Sequence, residues 1–180
     1  MIIKDIIIRN AMPDEFEEIG NLLVRVYSGL DGFPKPNEQP NYYKMMGNIG
    51  GMISKPGAEL IVAIFSDNKI IGTVVYFSDM KYYGSGGLAI NETNASGFRL
   101  LAVDDEYRGM GIGNLLISAC INKAKTDQAN QLIIHSTMAM KTAWKMYEKI
   151  GFKRSEELDF MQGNLQVFGF RLDLSPFSFK

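Results

Sequence analysis

Residues 98–125, FRLLAVDDEYRGMGIGNLLISACINKAK, contain the pattern that decides the fold. An apolar run from Leu100 to Val103 ends at an acidic turn, and three alternating glycines then lead into a segment with helical spacing. A strand, a glycine-rich turn and a helix together present backbone N–H groups to a phosphate. Glycine lets a ligand approach the backbone, and the start of a helix offers unpaired donors. Arg108 to Asn114 is therefore predicted to bind a phosphate.

Two common phosphate-binding loops do not fit this spacing. A dinucleotide fingerprint is G-x-G-x-x-G near the start of a strand–helix–strand unit. The glycines here are Gly109, Gly111 and Gly113, and they lie past the middle of the chain. The G-x-x-x-x-G-K-[ST] pattern of a P-loop does not occur in the sequence. A Rossmann-type oxidoreductase remains a third hypothesis, resting only on the letters GMGIG.

Length and composition favour an ordinary globular domain. The 180 residues are expected to form a single domain, 1–180, with a sizeable core. The net charge of −1, without a run of like charges, argues against a nucleic-acid partner. The single cysteine, Cys120, excludes an internal disulfide and a multi-cysteine metal site, so we expect a core role for it, no metal, and a cytoplasmic location.

A membrane partner is not expected either. The first ten residues, MIIKDIIIRN, are interrupted by charges and predict a first strand, not a signal peptide. No apolar run approaches the roughly 20 residues needed to span a bilayer.

Apolar periodicity predicts alternating strands and helices along the rest of the chain. The predicted elements are a strand at Ile6–Arg9, a helix through Phe16–Val26, a loop at Gly29–Pro40, an apolar helix at Tyr42–Ile53, a hairpin of Leu60–Phe65 and Ile70–Phe77, a loop at Ser78–Ser96, a strand at Gln131–Thr137, a helix at Ala139–Ile150, and two C-terminal strands, one from Phe152 and one at Gln166–Leu174. This order predicts one α/β domain with a mixed sheet.

Two of these segments allow more than one interpretation. The glycines within residues 42–53 weaken a helix, so the segment is either a mobile wall of a binding site or a poorly capped core helix. The glycine-rich loop at 78–96 has a length that is usually functional or mobile. Its Tyr82 and Tyr83 either contact a substrate or lie on the surface.

The chain resembles the GCN5-related N-acetyltransferase (GNAT) family in two motifs. The family signature for the coenzyme A (CoA) pyrophosphate, Arg/Gln-x-x-Gly-x-Gly/Ala, is met by Arg108, Gly111 and Gly113 directly after VDDEY. A second feature, an alanine four residues before a tyrosine and then Gly-Phe, is met in AWKMYEKIGF at 143–152. Met140 stands where relatives often place an asparagine that contacts CoA.

The resemblance implies both a fold and an activity. The fold is a GNAT-like three-layer α/β fold with a mixed, mostly antiparallel sheet of about seven strands and about four helices. The signature strand separates from the next strand and leaves a V-shaped slot for pantetheine. The implied activity is transfer of an acetyl group from acetyl-CoA to a primary amine of a small molecule or peptide, by direct attack in a ternary complex. A catalytically silent acyl-CoA-binding sensor of the same fold is the alternative, and homodimers are common among relatives.

The resemblance and the chemistry together assign the site residues. The backbone around Leu101, Ala102 and Val103 is expected to pair with pantetheine and to supply an oxyanion donor. Tyr147 is expected to protonate the departing CoA sulfur. The pyrophosphate is expected on Arg108 and on the backbone of Gly109, Met110, Gly111, Ile112, Gly113 and Asn114.

The general base stays open at this stage. Relatives often place a glutamate on the signature strand, but residues 98–103 contain no carboxylate. The candidates are Asp104, Asp105, Glu59 and Glu92, and the further alternatives are an amine drawn from solution as the free base and a relay of waters. His135, the only histidine, is either a satisfied buried imidazole or part of a proton relay.

Overall fold

The computed structural model describes residues 5–176, in which eight strands form one mixed sheet. The strands are β1 (Ile6–Asn10), β2 (Ala58–Phe65), β3 (Ile70–Phe77), β4 (Ala95–Val103), β5 (Gln131–Ser136), β6 (Lys153–Arg154), β7 (Phe160–Gln162) and β8 (Leu165–Asp173). The α-helices are α1 (Phe16–Ser28), α2 (Pro40–Gly47), α3 (Ile49–Met52), α4 (Ile112–Thr126) and α5 (Lys141–Ile150).

The strand order is β1-β2-β3-β4-β5-β8-β6, and β7 pairs with β8 outside this path. Every pairing is antiparallel except that of β4 with β5. The prediction of a mixed, mostly antiparallel α/β fold is therefore confirmed, with one strand and one helix more than the approximate numbers expected. None of the helices within residues 5–176 is long and apolar enough to cross a membrane.

Alternating strand residues divide the core between the two faces of the sheet. Val62 on β2 packs in the cluster that also contains the buried faces of α1, α2 and α3. Its neighbours Ile61 and Ala63 pack in a second cluster with α4 and α5. Successive side chains of a strand point to opposite faces, so this alternation produces three layers, with helices on both sides of the sheet.

The apolar segment at 42–53 forms two short helices and not one. The chain leaves the helical conformation at Asn48, between α2 and α3. The glycines around this break allow close packing against α1. A Cβ at Gly20 would lie 2.4 Å from the carbonyl oxygen of Gly47, and a Cβ at Gly50 would lie 2.7 Å from the ring of Phe16. Met46 and Ile49 are fully buried, which favours the core interpretation over a mobile wall.

The glycine-rich segment at 78–96 has ten exposed residues, but a few buried side chains fix it to the core. It contains short 3-10 turns at Met80–Tyr82 and Ala89–Asn91. Met80, Tyr83 and Ala89 are fully buried in the cluster that contains α1. Tyr83 is therefore a core residue, and its hydroxyl group reaches toward β4 and β5.

Candidate active site

The sheet opens between β4 and β5. The two strands pair over only three residues each, Ala95–Gly97 with Gln131–Ile133. Beyond this point β4 continues along β3 to Val103, and β5 continues along β8 to Ser136. The facing edges of the two strands are therefore unpaired toward their C-terminal ends, which forms the V-shaped slot that the resemblance implied.

Peptide groups of β4 alternate between β3 and the slot. The N–H of Asp104 donates to the carbonyl oxygen of Ile71 at 2.9 Å. Antiparallel strands exchange hydrogen bonds at every second residue, so Ala102 also faces β3. Leu101 and Val103 therefore direct their N–H and C=O groups toward the slot. Ala102 lies in the core, and its backbone does not contribute to the slot edge, in contrast to the expectation for that residue.

A bulge in β4 and a tyrosine from α1 shape this edge. Leu100 adopts a positive φ of 56°, and the pairing with β3 shifts by one residue between Thr73 and Val75. The Tyr27 hydroxyl donates to the carbonyl oxygen of Leu101 at 3.3 Å. This contact engages the carbonyl oxygen of Leu101 and not its N–H group.

The glycine-rich turn follows the open end of β4. Gly109 and Gly111 have φ values of 78° and 82°, and a Cβ at either position would meet no atom within 4 Å. The first helical bond of α4 runs from the N–H of Leu115 to the carbonyl oxygen of Gly111. Within residues 5–176, the six N–H groups from Gly109 to Asn114 donate to no protein acceptor. The turn therefore forms an open cradle of hydrogen-bond donors at the start of a 15-residue helix.

Arg108 lies beside the cradle, at the surface. Its guanidinium forms a 2.6 Å ion pair with Asp105, and both side chains are at least half exposed. A phosphate bound in the cradle would compete with this exposed carboxylate for the guanidinium, and an exposed pair of this kind is weak.

Tyr147 lies on the buried face of α5, against the sheet. Its ring packs among Phe98, Phe152 and Phe170 at centroid distances of 5.7 to 6.3 Å. Burial raises the pKa of Tyr147 far above its ordinary value. The phenol therefore stays protonated at neutral pH, and its hydroxyl makes no hydrogen bond to any residue within 5–176.

A cavity of about 70 Å³ lies beside the slot, on the face of the sheet that carries α1. Ser136 and Thr137, at the end of β5, are among the residues that line this cavity, and each carries a hydroxyl group. Both groups are buried and have no hydrogen-bond partner within residues 5–176. A buried hydroxyl without a partner is costly, so these two groups mark a place for a polar ligand atom.

His135 lines the same cavity. Its Nε2 lies 2.9 Å from the carbonyl oxygen of Leu158, which requires a proton on Nε2. Its Nδ1 therefore accepts a hydrogen bond, with Tyr83 Oη at 3.1 Å and Ser85 Oγ at 3.3 Å. Burial lowers the pKa of His135 to about 4, so the imidazole is neutral at pH 7. These hydrogen bonds agree with the interpretation of His135 as a satisfied imidazole, and its part in a proton relay stays a prediction.

A second, larger cavity of about 550 Å³ adjoins the first. Arg99 and Tyr83 line both cavities. The remaining wall of the second cavity comes mainly from the segment at 41–55 and includes Lys44 and Lys55. Tyr82 also lines it, and a contact between Tyr82 and a substrate stays a prediction.

The four carboxylates considered as general bases are all engaged elsewhere. Asp104 pairs with Arg25 at 2.8 Å, and Asp105 pairs with Arg108. Glu59 pairs with Lys123 at 2.7 Å, and Glu92 pairs with Arg171 at 2.8 Å. None of the four lines either cavity. Within residues 5–176, no group of three or more His, Cys, Asp or Glu side chains could hold a metal ion.

Several residues at this site were not identified from the sequence. They are Tyr27, Tyr42, Arg99, Ser136 and Thr137, and all of them line the smaller cavity. Arg99 carried a usable signal, because it is the single charge within the apolar run FRLLAV. Tyr27 and Tyr42 carried none, because tyrosine on an amphipathic helix is most often a core residue.

The opened sheet, the donor cradle and the buried tyrosine together define the acetyltransferase class of fold that the two motifs implied. The family described as acetyltransferase (GNAT) matches residues 17–152, and the chain belongs to this family. The GNAT family uses acetyl-CoA.

Individual relatives agree with this assignment. N-alpha-acetyltransferase 30 of Xenopus laevis is 34% identical over 59 residues, which cover 33% of this chain and 22% of that protein. The match thus spans about a fifth of that relative's length. A GNAT-family acetyltransferase from Staphylococcus aureus superposes with a TM-score of 0.73 at 18% identity, covering 94% of this chain and 99% of that chain. The structure of yncA from Salmonella typhimurium, solved with its cofactor acetyl-CoA, has a TM-score of 0.67 at 12% identity and covers 97% of this chain and 96% of its own.

Proposed function

We propose that this chain transfers an acetyl group from acetyl-CoA to a primary amine of a small molecule or peptide, by direct attack in a ternary complex. One observation carries the proposal. Within residues 5–176, six consecutive N–H donors, Gly109 to Asn114, have no protein acceptor, and they follow the end of β4 that borders the open slot after one short turn.

The residues present fit acetyl-CoA. This molecule supplies an acetyl thioester, two pantetheine amides and an anionic pyrophosphate. The backbone from Gly109 to Asn114, with Arg108 beside it, would hold the pyrophosphate, because the space in front of Gly109 and Gly111 is open to the backbone. The slot-facing peptide groups of Leu101 and Val103 would pair with the pantetheine amides. The acetyl-CoA in the yncA structure supports this assignment by analogy of fold.

The chain also offers groups for the chemical step. The amine nitrogen has to attack the thioester carbonyl carbon, so that a C–N bond forms and the C–S bond breaks. A free N–H on the slot edge, from Leu101 or Val103, would donate to the carbonyl oxygen as negative charge develops there. Tyr147 would donate its proton to the departing sulfur. The same burial that raises the pKa of this phenol also raises the pKa of a thiol beside it, so the transfer remains feasible.

The proton on the attacking amine needs a separate route. No carboxylate lines either cavity, and His135 is a weak base with a pKa of about 4. We infer that the acceptor enters as the free base or loses its proton to water at the larger cavity.

An acceptor screen tests the proposed function. The purified protein is mixed with acetyl-CoA and a panel of primary amines, and both the release of free CoA and the mass of the product are measured. At least one amine is expected to release CoA and to gain an acetyl group. Binding of acetyl-CoA without turnover of any amine would contradict the proposed enzymatic activity and favour a non-catalytic acyl-CoA sensor.

A further inference from the structure

Arg99 presents a positive charge between the two cavities. Its Nη1 donates to the carbonyl oxygen of Tyr83 at 2.9 Å, and its guanidinium lies 5.8 Å from the centre of the Tyr83 ring. These contacts fix the orientation of the side chain. Within residues 5–176 this is the one hydrogen bond of normal length that Arg99 makes, and the guanidinium also lies beside Tyr42, where it opposes the effect of burial on the pKa of that phenol. Most of its five N–H groups therefore have no protein acceptor within these residues.

No aspartate or glutamate within residues 5–176 neutralises this charge. The ion pairs within residues 5–176 do not include Arg99. Residues 1–4 and 177–180 contain no aspartate or glutamate. A partly buried guanidinium without a counter-charge is costly, and a bound anion would remove this cost.

The surroundings of Arg99 have the same sign of charge. Lys44 and Lys55 line the larger cavity with it. No aspartate or glutamate lines either cavity, although the chain as a whole contains 20 acidic and 19 basic residues. The site is therefore positive within a nearly neutral protein, and such a field attracts an anionic ligand.

Two further features of the smaller cavity indicate which kind of ligand would fit it. Ser136 and Thr137, whose buried hydroxyl groups have no hydrogen-bond partner within residues 5–176, are among the residues that line the smaller cavity. Phe33, in the loop after α1, and Phe160, on β7, are both part of its wall. Gln162, which also lines the cavity, donates from its Nε2 to Gln39 Oε1 at 3.1 Å and so links the β7–β8 hairpin to the segment before α2. The small volume of this cavity, about 70 Å³, suits a small molecule better than a continuous peptide chain.

We propose that the acceptor is a small primary amine that carries a carboxylate, of the amino-acid class, and that Arg99 binds this carboxylate. The inference rests on the proposed function, since it names the substrate class of the same site. The planar guanidinium matches a carboxylate with paired hydrogen bonds, which makes Arg99 the determinant of acceptor specificity.

Matched pairs of amines test the inference. Each amino acid in a panel is compared with its own amide, which keeps the amine and the side chain but removes the negative charge. The amine of the amide loses its proton more easily, so any preference for the amino acid has to come from the carboxylate. We expect kcat/KM to be at least roughly tenfold higher for the amino acid, as for a charge-assisted hydrogen bond.

Variants then locate the preference at Arg99. Arg99→Gln is expected to lower kcat/KM for the amino acid by roughly 10- to 100-fold, mainly through KM, and to leave the amide nearly unchanged. Arg99→Lys should keep part of the preference. Lys81→Gln, which removes an exposed cation outside both cavities, is the matched control and should change neither substrate. Acetyl-CoA affinity should stay at the wild-type value in all three variants.

A binding measurement completes the test. An accepted amino acid is titrated calorimetrically into protein saturated with CoA, and binding is expected for wild type and not for Arg99→Gln. If Arg99→Gln does not fold, the wild-type comparison of acid with amide and the Arg99→Lys variant still decide the matter. Equal or better turnover of amides by the wild type would overturn this inference and leave the acetyltransferase proposal intact. Failure of every amine, acids and amides alike, would overturn both.

Discussion

Gly97 on β4 and Ile133 on β5 are the last two residues that pair between these parallel strands. Past this pair the sheet opens, and the proposed chemistry takes place in the opening. Gly97 also keeps the adjoining wall close, because a Cβ there would lie 2.8 Å from the ring of Tyr83. The slot and the two cavities that Tyr83 lines are therefore positioned by the same point of the sheet.

Tyr147→Phe tests the proton donor. The change removes one hydroxyl that has no protein partner within residues 5–176, so folding and acetyl-CoA affinity should be unaffected. Turnover of any accepted amine should fall by about 10²- to 10⁴-fold, the usual contribution of a general acid. Steady-state kinetics with calorimetric titration of acetyl-CoA measures both quantities, and Tyr107→Phe, on the turn before Arg108, is the control. Unchanged turnover would remove Tyr147 from the mechanism.

The lowered pKa of His135 predicts how the free energy of unfolding depends on pH. Its pKa is about 4 in the folded protein and near 6.5 when unfolded, so between these values only the unfolded chain binds the proton. The stability present above pH 6.5 is therefore lost as the pH falls through 4, by up to about 3 kcal/mol.

The histidine contribution is isolated by a variant. Urea unfolding from pH 7 to pH 4 is compared for wild type and His135→Gln. Arg99 lowers the pKa of His135 and Asp159 raises it, and both remain in the variant. The wild type should lose more stability over this range than the variant does, whereas parallel curves would contradict a buried neutral imidazole.

Substitution by alanine at two glycines, one on α1 and one on α2, should change the free energy of unfolding in opposite directions. Gly20→Ala places a Cβ 2.4 Å from the Gly47 carbonyl oxygen, so α1 and α2 have to move apart, at a cost of about 1–3 kcal/mol. Gly47→Ala meets only a Val24 methyl group at 4.0 Å, and it should stabilise the helix by about 0.5–1 kcal/mol. Thermal or urea unfolding measures both changes. Equal effects would mean that the two helices are not in close contact.

Much of the fold could be predicted because its pattern is local. Continuous apolar runs joined by a turn identified β2 and β3, and glycine spacing identified the cradle before α4. The break at Asn48 could not be predicted, because it depends on the contact between Gly20 and Gly47, which are distant in the sequence. The strands β6 and β7 are short and carry little pattern of their own.

Only part of the candidate site could be predicted, because only part of it lies in local sequence patterns. Tyr147 and the cradle lie in motifs with fixed spacing, so the resemblance found them. Tyr27 reaches Leu101 across 74 positions of sequence, and Arg99 meets Tyr83 only because the segment at 78–96 folds back on β4. Contacts of this kind are set by tertiary packing, which a single sequence does not display.

The cradle can be tested with two glycines of the same geometry. Gly111 and Gly163 both have positive φ values, 82° and 60°, and a Cβ at either would meet no atom within 4 Å. Valine at each position introduces backbone strain, of about 1–2 kcal/mol. Only Gly111→Val places its side chain in front of the donors from Gly109 to Asn114.

Calorimetric titration of acetyl-CoA into wild type, Gly111→Val and Gly163→Val therefore tests the central claim most directly, with NAD as the competing ligand. Wild type and Gly163→Val are expected to bind acetyl-CoA and to bind NAD more weakly or not at all. Gly111→Val is expected to stay folded and to lose acetyl-CoA binding. Binding that survives in Gly111→Val, or tighter binding of NAD by the wild type, would contradict the account.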